Sequence, residues 1–211
     1  TELLGSIKII NVNDSMPLFL DVSLANSTAV YADIRHRLPF IELPELPIVS
    51  HTRIERLRMR GPPEDSLWFD LHVEDRPGRF DGELSLYLKE KEIGYKANLA
   101  ITKGQLKVFL PDSSKLDTDL NGRLIIQGRG FELGTMQATV DLQLDRSTVS
   151  GLVVRKTALL AKADGAGNIF VDTLDLELPA TERDTVDSLI DVSNSQRLAA
   201  SGVLHAQDML S

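Results

Sequence analysis

Side chains that could bind a metal or act in catalysis are few and scattered in this sequence. The four histidines, His36, His51, His72 and His205, show neither an i, i+4 spacing nor an HExxH motif. Cysteine is absent, which removes thiolate nucleophiles, disulfides and the common zinc sites together. No Gly-x-Ser-x-Gly motif occurs. We therefore expect solvated or structural histidines, no metal or other cofactor, and a protein that is not an enzyme.

Two glycine-rich pieces, Gly128-Arg129-Gly130 and residues 164–168, invite comparison with phosphate-binding loops. Neither is followed by Gly-Lys-Ser/Thr and neither opens a helix, so the loop motif is rejected. The second piece is instead predicted to be a hairpin turn. Asp141 and Asp145 resemble calcium ligands only in type, because no loop gathers the six or more oxygens that calcium requires.

The sequence contains one basic stripe, formed by Arg56, Arg58 and Arg60. It is expected on the strand face opposite Leu57 and Met59, as a solvated face whose charge is compensated by Glu64 and Asp65. Contact with anionic lipid headgroups is the alternative interpretation. The net charge of -8 and a pI near 5.0 argue against nucleic acid as the main partner, since phosphate neutralisation needs clustered Lys and Arg.

Alternation of apolar and polar residues is the main secondary-structure signal. It runs through residues 83–88, 116–126, 136–145 and 174–178, and each run predicts a strand with one apolar and one polar face. Hydrophobic residues make up 42% of the chain but aromatic residues only 5%, so these apolar faces consist mainly of Leu, Ile, Val and Ala. The fold class predicted from this pattern is all-β.

Glycine and proline divide the strands. The dipeptides predicted as turns are Asp81-Gly82, Asn121-Gly122, Asp164-Gly165 and Ser201-Gly202. Residues 38–48 contain three prolines and are predicted to be an apolar loop or edge segment. Residues 183–190 could form a turn or two of helix, and residues 207–211 resemble a helix start.

A polar-Gly-x-Leu pattern recurs along the chain. Asp81-Gly82-Glu83-Leu84 and Asn121-Gly122-Arg123-Leu124 lie 40 residues apart, and Ser201-Gly202-Val203-Leu204 follows 80 residues after the second. This weak quasi-repeat favours a stacked β array, with chance recurrence as the competing explanation.

Several segments after residue 94 share a degenerate Gly, Ser and alternating-Leu pattern. They are Tyr95 to Leu99, Leu116 to Gly130, Ala138 to Ser147 with Val149 and Gly151 after it, Asn168 to Pro179, and Ala200 to Gly202. Together they resemble the TamB family within the wider AsmA-like group, over roughly residues 95–206. Residues 1–94 match more weakly and residues 181–197 depart from the family pattern. We therefore expect residues 1–94 to be the N-terminal part of the architecture and residues 95–211 to be the TamB-like segment.

The resemblance implies an elongated, open β half-pipe, or β-taco, with an apolar concave face. It implies a segment of a bridge-like lipid transfer protein that is anchored in the inner membrane, spans the periplasm and carries phospholipid between inner and outer membrane. Support of outer-membrane protein assembly and secretion, with a TamA-like outer-membrane barrel partner, is a further family role. Membrane contact would come from parts of the full-length protein outside this segment.

The implied groove would bind phospholipid acyl chains along the apolar strand faces. Its expected lining is Leu120, Leu124, Ile126, Met136, Val140, Leu142, Leu144, Val149, Val153, Leu174, Leu176 and Leu178. Few aromatic and many aliphatic side chains suit fluid acyl chains better than a rigid ring-shaped ligand. The alternative is a structural or adhesin-like β-sandwich without a ligand, whose apolar faces meet in a dry core, because it has the same strand pattern.

Overall fold

The fold is all-β, as the alternation predicts. The computed structural model describes residues 1–11, 17–30, 32–33, 36, 51–75, 78–88, 92–105, 117–131, 134–179 and 196–205. Thirteen strands form within them: β1 (Gly5–Ile10), β2 (Phe19–Val30), β3 (His51–Gly61), β4 (Ser66–Asp75), β5 (Gly78–Tyr87), β6 (Gly94–Gly104), β7 (Thr118–Arg129), β8 (Gln137–Leu144), β9 (Ser147–Val149), β10 (Leu152–Val154), β11 (Lys156–Asp164), β12 (Asn168–Leu178) and β13 (Gln196–His205). The segments 38–48, 183–190 and 207–211 lie outside the described residues.

The strands form one open antiparallel sheet that does not close into a barrel. The order is β1-β2-β3-β4-β5-β6-β7-β8-β11-β12-β13, so nearly every strand pairs with its neighbour in sequence. Strands β1 and β13 are the two edges. The expected division at residues 94 and 95 falls at the start of β6, which pairs with both β5 and β7, so the same sheet contains both parts.

Strands β8 to β11 form a single long hairpin with a bent tip. Its turn is Ser150-Gly151, and both residues have positive φ, 48° and 82°, as a two-residue type I′ turn requires. Strand β9 pairs with the first residues of β7, where Thr118 lies opposite Val149. The tip thereby extends the sheet past the end of β8.

Two buried serines make the same contacts at two bends in the sheet. Ser27 Oγ accepts a hydrogen bond from the Leu4 amide at 2.8 Å and donates to carbonyls on its own strand and on the neighbouring chain segment. Ser147 Oγ accepts from the Asn121 amide at 2.9 Å and donates in the same way. Each hydroxyl thus satisfies backbone groups where a bulge breaks the regular ladder.

Three of the four predicted turn dipeptides are wrong, because they lie inside strands. Asp81-Gly82 belongs to β5, Asn121-Gly122 to β7 and Ser201-Gly202 to β13. Gly82 and Gly122 have φ of 149° and 154°, and a Cβ on either would lie 2.1 Å from a carbonyl oxygen of the next strand. Glycine is needed there for close strand approach rather than for a turn. A Cβ on Gly202 would meet nothing within 4 Å, so only the first two copies of the quasi-repeat share a structural cause.

The fourth dipeptide is a turn, as predicted, and begins the loop between β11 and β12. Asp164 accepts hydrogen bonds from the amides of Ala166 and Asn168 at 2.7 and 3.2 Å. Its other oxygen accepts from the Asn168 side-chain amide at 2.8 Å. These donors, the Asn168 side chain foremost, lower the pKa of Asp164.

Buried hydrophobic packing is limited. One cluster joins Ile101, Leu120 and Leu144, with Phe80 and Val149 among the partly buried side chains around it. Contacts between elements run almost wholly between neighbours in the sheet. Within the described ranges, therefore, no second layer packs against the sheet.

Candidate functional site

The strand register defines the two faces of the sheet. Leu142 pairs directly with Leu124 on one side and with Leu159 on the other, and Leu159 pairs with Leu174. Directly paired residues point to the same face of a sheet, so we call this surface the Leu142 face. Asp141 pairs with Ile125 and Leu160 on the reverse surface, the Asp141 face.

Four rows of paired residues cross the Leu142 face from strand to strand. The first is Leu24, Leu57, Leu71, Gly82, Leu99, Leu124, Leu142, Leu159, Leu174 and Ala200. The second is Ile7, Val22, Met59, Phe69, Leu84, Ala97, Ile126, Val140, Ala161, Val171 and Gly202. The third is Leu67, Leu86, Tyr95, Gly128, Ala138, Ala163 and Ile169. The fourth is Ser27, Ile54, Val73, Phe80, Ile101, Gly122, Leu144, Thr157, Leu176 and Leu198.

None of these rows contains a charged residue, whereas the Asp141 face carries most of the charge of the sheet. Most of the large aliphatic side chains in the rows are partly buried rather than fully buried. At the two edges they are open: Ile7 is 70% exposed and Leu198 is 54% exposed. An apolar surface of this extent is unusual for a sheet face that meets only water.

Most of the residues predicted to line a groove are brought together on this face. The rows contain Leu124, Ile126, Val140, Leu142, Leu144, Leu174 and Leu176. Leu178 follows Leu176 on the same face of β12, opposite Gln196. Leu120 belongs to the small buried cluster and Val149 packs against it.

The last two predicted residues, Val153 and Met136, are neither in these rows nor in the cluster around Leu120. Val153 pairs with Thr148, whereas Val149 pairs with Leu152, so Val153 and Val149 lie on opposite faces of the bent tip. The two-residue turn imposes this, because it places residues 149 and 152 opposite each other. Met136 precedes β8, and its backbone carbonyl accepts a hydrogen bond from Gly165.

The Leu142 face also contains residues that the predicted groove lining did not include. Strands β2 to β6 supply nearly half of the residues in the rows, and the alternation of Leu84 and Leu86 was a sequence signal that could have pointed to them. Ile169 and Val171 are odd-numbered, unlike Leu174 and Leu176, and join the same face through a bulge between Val171 and Leu174. A bulge changes the parity of a strand, and alternation alone does not locate it.

Tyr95 lies at one end of the Leu142 face. Its ring stacks on Phe131 with centroids 5.2 Å apart and an interplanar angle of 11°. A Cβ on Gly128 would lie 2.8 Å from the Tyr95 hydroxyl, so the missing side chain makes room for the phenol. Burial raises the pKa of Tyr95.

The arginine stripe on β3 faces away from the Leu142 face, as the alternation predicts. Two of its charges are compensated across strands. Arg58 donates to the Asp21 carboxylate of β2 from Nε at 3.2 Å and from Nη2 at 2.9 Å, and Arg56 lies 3.4 Å from Asp70 of β4. Arg56 and Arg58 thus have their acidic partners on neighbouring strands, whose side chains are the nearest ones in a sheet, and the compensation by Glu64 and Asp65 stays a prediction. The Arg58 hydrogen bonds lower the pKa of Asp21.

His72 has two carboxylate neighbours on the Asp141 face. Its Nε2 lies 2.6 Å from Glu55, and its Nδ1 contacts Asp81, which also binds Arg79 at 2.8 Å. No group of three side chains suited to hold a metal ion occurs in the described residues. Among those same residues, no helix is both long and apolar enough to cross a bilayer.

Comparison with known proteins adds no relative. No protein-family model, curated protein or solved structure matches this chain. The resemblance to the TamB family therefore stays a prediction.

Proposed function

We propose that the Leu142 face binds phospholipid acyl chains and that this chain is a non-enzymatic segment of a lipid conduit. In this proposal the sheet curves into a half-pipe with the Leu142 face on its concave side. The full-length protein would be anchored in the inner membrane, cross the periplasm and bring phospholipid to the outer membrane. A TamA-like barrel would be its outer-membrane partner, with a supporting role in protein assembly and secretion.

The observation that supports the proposal best is the absence of charge from four rows that cross up to eleven strands. A face exposed only to water gains nothing from excluding charge, whereas an acyl chain lying on it would be destabilised by any unpaired ion. Each buried methylene of a bound chain contributes about 0.8 kcal/mol. Ten methylenes would contribute about 8 kcal/mol before the cost of immobilising the lipid.

The dimensions of the face suit acyl chains. Adjacent strands lie about 4.8 Å apart, so eleven strands extend over about 48 Å. Four rows two residues apart cover about 20 Å along the strands. Half the hydrocarbon thickness of a bilayer is about 15 Å, so an acyl chain lying along the strands fits across the four rows.

Photo-crosslinking in cells tests the proposal directly. A benzophenone amino acid placed at Leu142, on the proposed acyl surface, should form an adduct with phospholipid. The same amino acid at Gln143, exposed on the Asp141 face, is the matched control. Phospholipid adducts at both positions or at neither would overturn the proposal.

A charged substitution on the Leu142 face distinguishes an open lipid conduit from a closed β-sandwich. Leu142→Asp leaves the carboxylate accessible to water in an open segment, so the melting temperature should fall only modestly while lipid capture is lost. In a dry core the same charge would cost several kcal/mol and the domain should unfold. A variant that stays folded and captures lipid normally would show that Leu142 does not line the path.

A further inference from the structure

A strip of aromatic and polar side chains crosses the Asp141 face. One row of paired residues runs through seven strands of the sheet, from Trp68 on β4 to Phe170 on β12. Between these two aromatic residues the row contains Ser85, Lys96, Gln127, Thr139 and Lys162. Trp68 is 43% exposed and Phe170 is 37% exposed. We call this row, together with its neighbour Tyr87, the Trp68 strip.

Trp68 and Tyr87 form an aromatic platform at one end of the strip. Trp68 pairs with Ser85, two residues before Tyr87 on β5, so the two aromatic residues are diagonal neighbours at about 7–8 Å. A Cβ on Gly61 would lie 2.9 Å from the Trp68 ring, and one on Gly94 would lie 3.4 Å from the Tyr87 ring. Each ring thus packs against a glycine, while Tyr87, like Trp68, keeps a large exposed fraction, 40%. Exposed tryptophan and tyrosine are typical of binding surfaces, because each ring offers a large apolar area beside a polar group.

A polar depression follows Tyr87 along the strip. Its volume is about 570 Å³, within the range of small-molecule sites. Its polar lining includes Lys96, Gln127, Gln137 and Thr139. Amide and hydroxyl side chains both donate and accept hydrogen bonds, as a sugar hydroxyl also does. An anion only accepts, and would leave the two glutamine carbonyls without a donor, so this lining suits a ligand rich in hydroxyl groups.

The cations beside the depression are engaged within the protein. Lys162 binds Asp172 at 2.6 Å, and Arg129 also has an interaction partner in the chain. Charge is therefore not what distinguishes this surface from the rest of the Asp141 face, where cross-strand ion pairs also occur. Ring faces and neutral hydrogen-bonding groups distinguish it, and they favour a neutral ligand.

We infer that the Trp68 strip binds a neutral oligosaccharide, with sugar rings stacked on Trp68 and Tyr87 and sugar hydroxyls bonded in the depression beside them. A pyranose with equatorial hydroxyls has C–H bonds on both faces, and these hydrogens meet the electron-rich face of an aromatic ring. Seven strands about 4.8 Å apart give the strip a length of about 29 Å, which suits a chain of several sugars. The strip lies opposite the proposed acyl surface, so this inference goes beyond the proposed function and does not depend on it.

Fluorescence titration tests the inference, because Trp68 is the only tryptophan of the chain. The probes are cellohexaose and chitohexaose, two neutral β-linked hexasaccharides with equatorial substituents. A saturable change in Trp68 emission with either sugar, matched by a heat of binding in calorimetry, is the expected result. Absence of both signals with both sugars would overturn the inference. Vesicles of phosphatidylcholine and phosphatidylglycerol are the third probe, and a response to vesicles but not to sugars would identify a membrane-contacting surface instead.

Matched variants assign the binding to the strip. Tyr87→Ala should weaken sugar binding about tenfold, because the stacking ring is lost, whereas Tyr87→Phe keeps the ring and should retain most of the binding. Gln127→Ala should also weaken binding. Gln143→Ala is its control, since Gln143 is exposed on the same face but lies outside the depression.

Unchanged binding in Tyr87→Ala would refute the site, as would equal losses in Gln127→Ala and Gln143→Ala. The three substituted residues are exposed, so melting curves close to that of the parent protein are expected, and they check that each variant is folded.

Discussion

At the scale of single residues, the glycines inside strands decide how closely neighbouring strands approach. Gly122 combines a φ of 154° with a carbonyl oxygen of Gln143 only 2.1 Å from where a Cβ would lie. A side chain there meets both backbone strain and a clash with main-chain atoms that cannot move aside.

We expect Gly122→Ala to lower the free energy of unfolding by about 1–3 kcal/mol or more, the range for a strained backbone position. Gly202→Ala is the matched control, because that glycine also lies in a strand but has open space around it. It should change stability by less than about 0.5 kcal/mol. Urea unfolding of both variants measures the difference, and equal effects would contradict the proposed role of close approach.

Tyr95 should make the folded protein less stable at alkaline pH. Because burial raises the pKa of Tyr95 in the folded state, folding favours the protonated phenol. The resulting stability is fully present below the unfolded pKa of about 10 and is lost as the pH rises through the folded value.

Tyr95→Phe should therefore flatten the fall in melting temperature above about pH 10. Tyr87→Phe removes an exposed phenol as a control and should keep the profile of the parent protein. Absorbance titration of the phenolate during the same pH series checks the assignment. An unchanged alkaline profile in Tyr95→Phe would contradict it.

At the scale of elements, the bulge in β12 places the apolar side chains before it and after it on the same face of the sheet. Leu160 and Ala161 are adjacent on β11 but pair with Thr173 and Val171, which leaves Asp172 as the extra residue. Without Asp172, side chains would alternate regularly between the two faces from Val171 to Leu174, and both of these side chains would stay on the Leu142 face.

We expect deletion of Asp172 to preserve the fold, with only a small loss of stability from its exposed ion pair with Lys162. Deletion of Asp175 is the control, because it removes one aspartate and one exposed ion pair, with Arg197, from a regular part of the strand. That deletion should turn one half of β12 over and destabilise the sheet strongly. Hydrogen exchange of β11 to β13 measures both, and equal protection in the two variants would refute the register.

At the scale of the whole molecule, one open sheet has an uncharged face and a charged face. The Leu142 face is the proposed acyl surface, and the Asp141 face carries cross-strand ion pairs such as Arg58 with Asp21 and Arg197 with Asp175. The two surfaces can therefore be tested independently, since a substitution on the Asp141 face leaves the four rows unchanged.

The whole molecule should also fold without a metal ion. The described residues contain no cluster of ligands for one, and the chain has no cysteine. Dialysis against EDTA should leave the melting temperature unchanged, because a ligand that binds only the folded state would otherwise stabilise it. A drop of many degrees would contradict this expectation.

The all-β class and the shared face of Leu124, Leu142 and Leu174 were determined by the sequence alone. The reason is that a strand has a period of two residues, so alternation specifies which side chains lie together. The hairpin turn at Asp164-Gly165 was likewise predictable, because its residues suit only a few backbone conformations.

Other features were decided only by the tertiary structure. Gly82 and Gly122 resemble turn residues in sequence, but the neighbouring strand requires them inside the sheet. The face on which Val153 lies depends on a two-residue turn, and the face on which Val171 lies depends on a bulge. Both features are set by local backbone hydrogen bonds, and neither can be located from the alternation of residues alone.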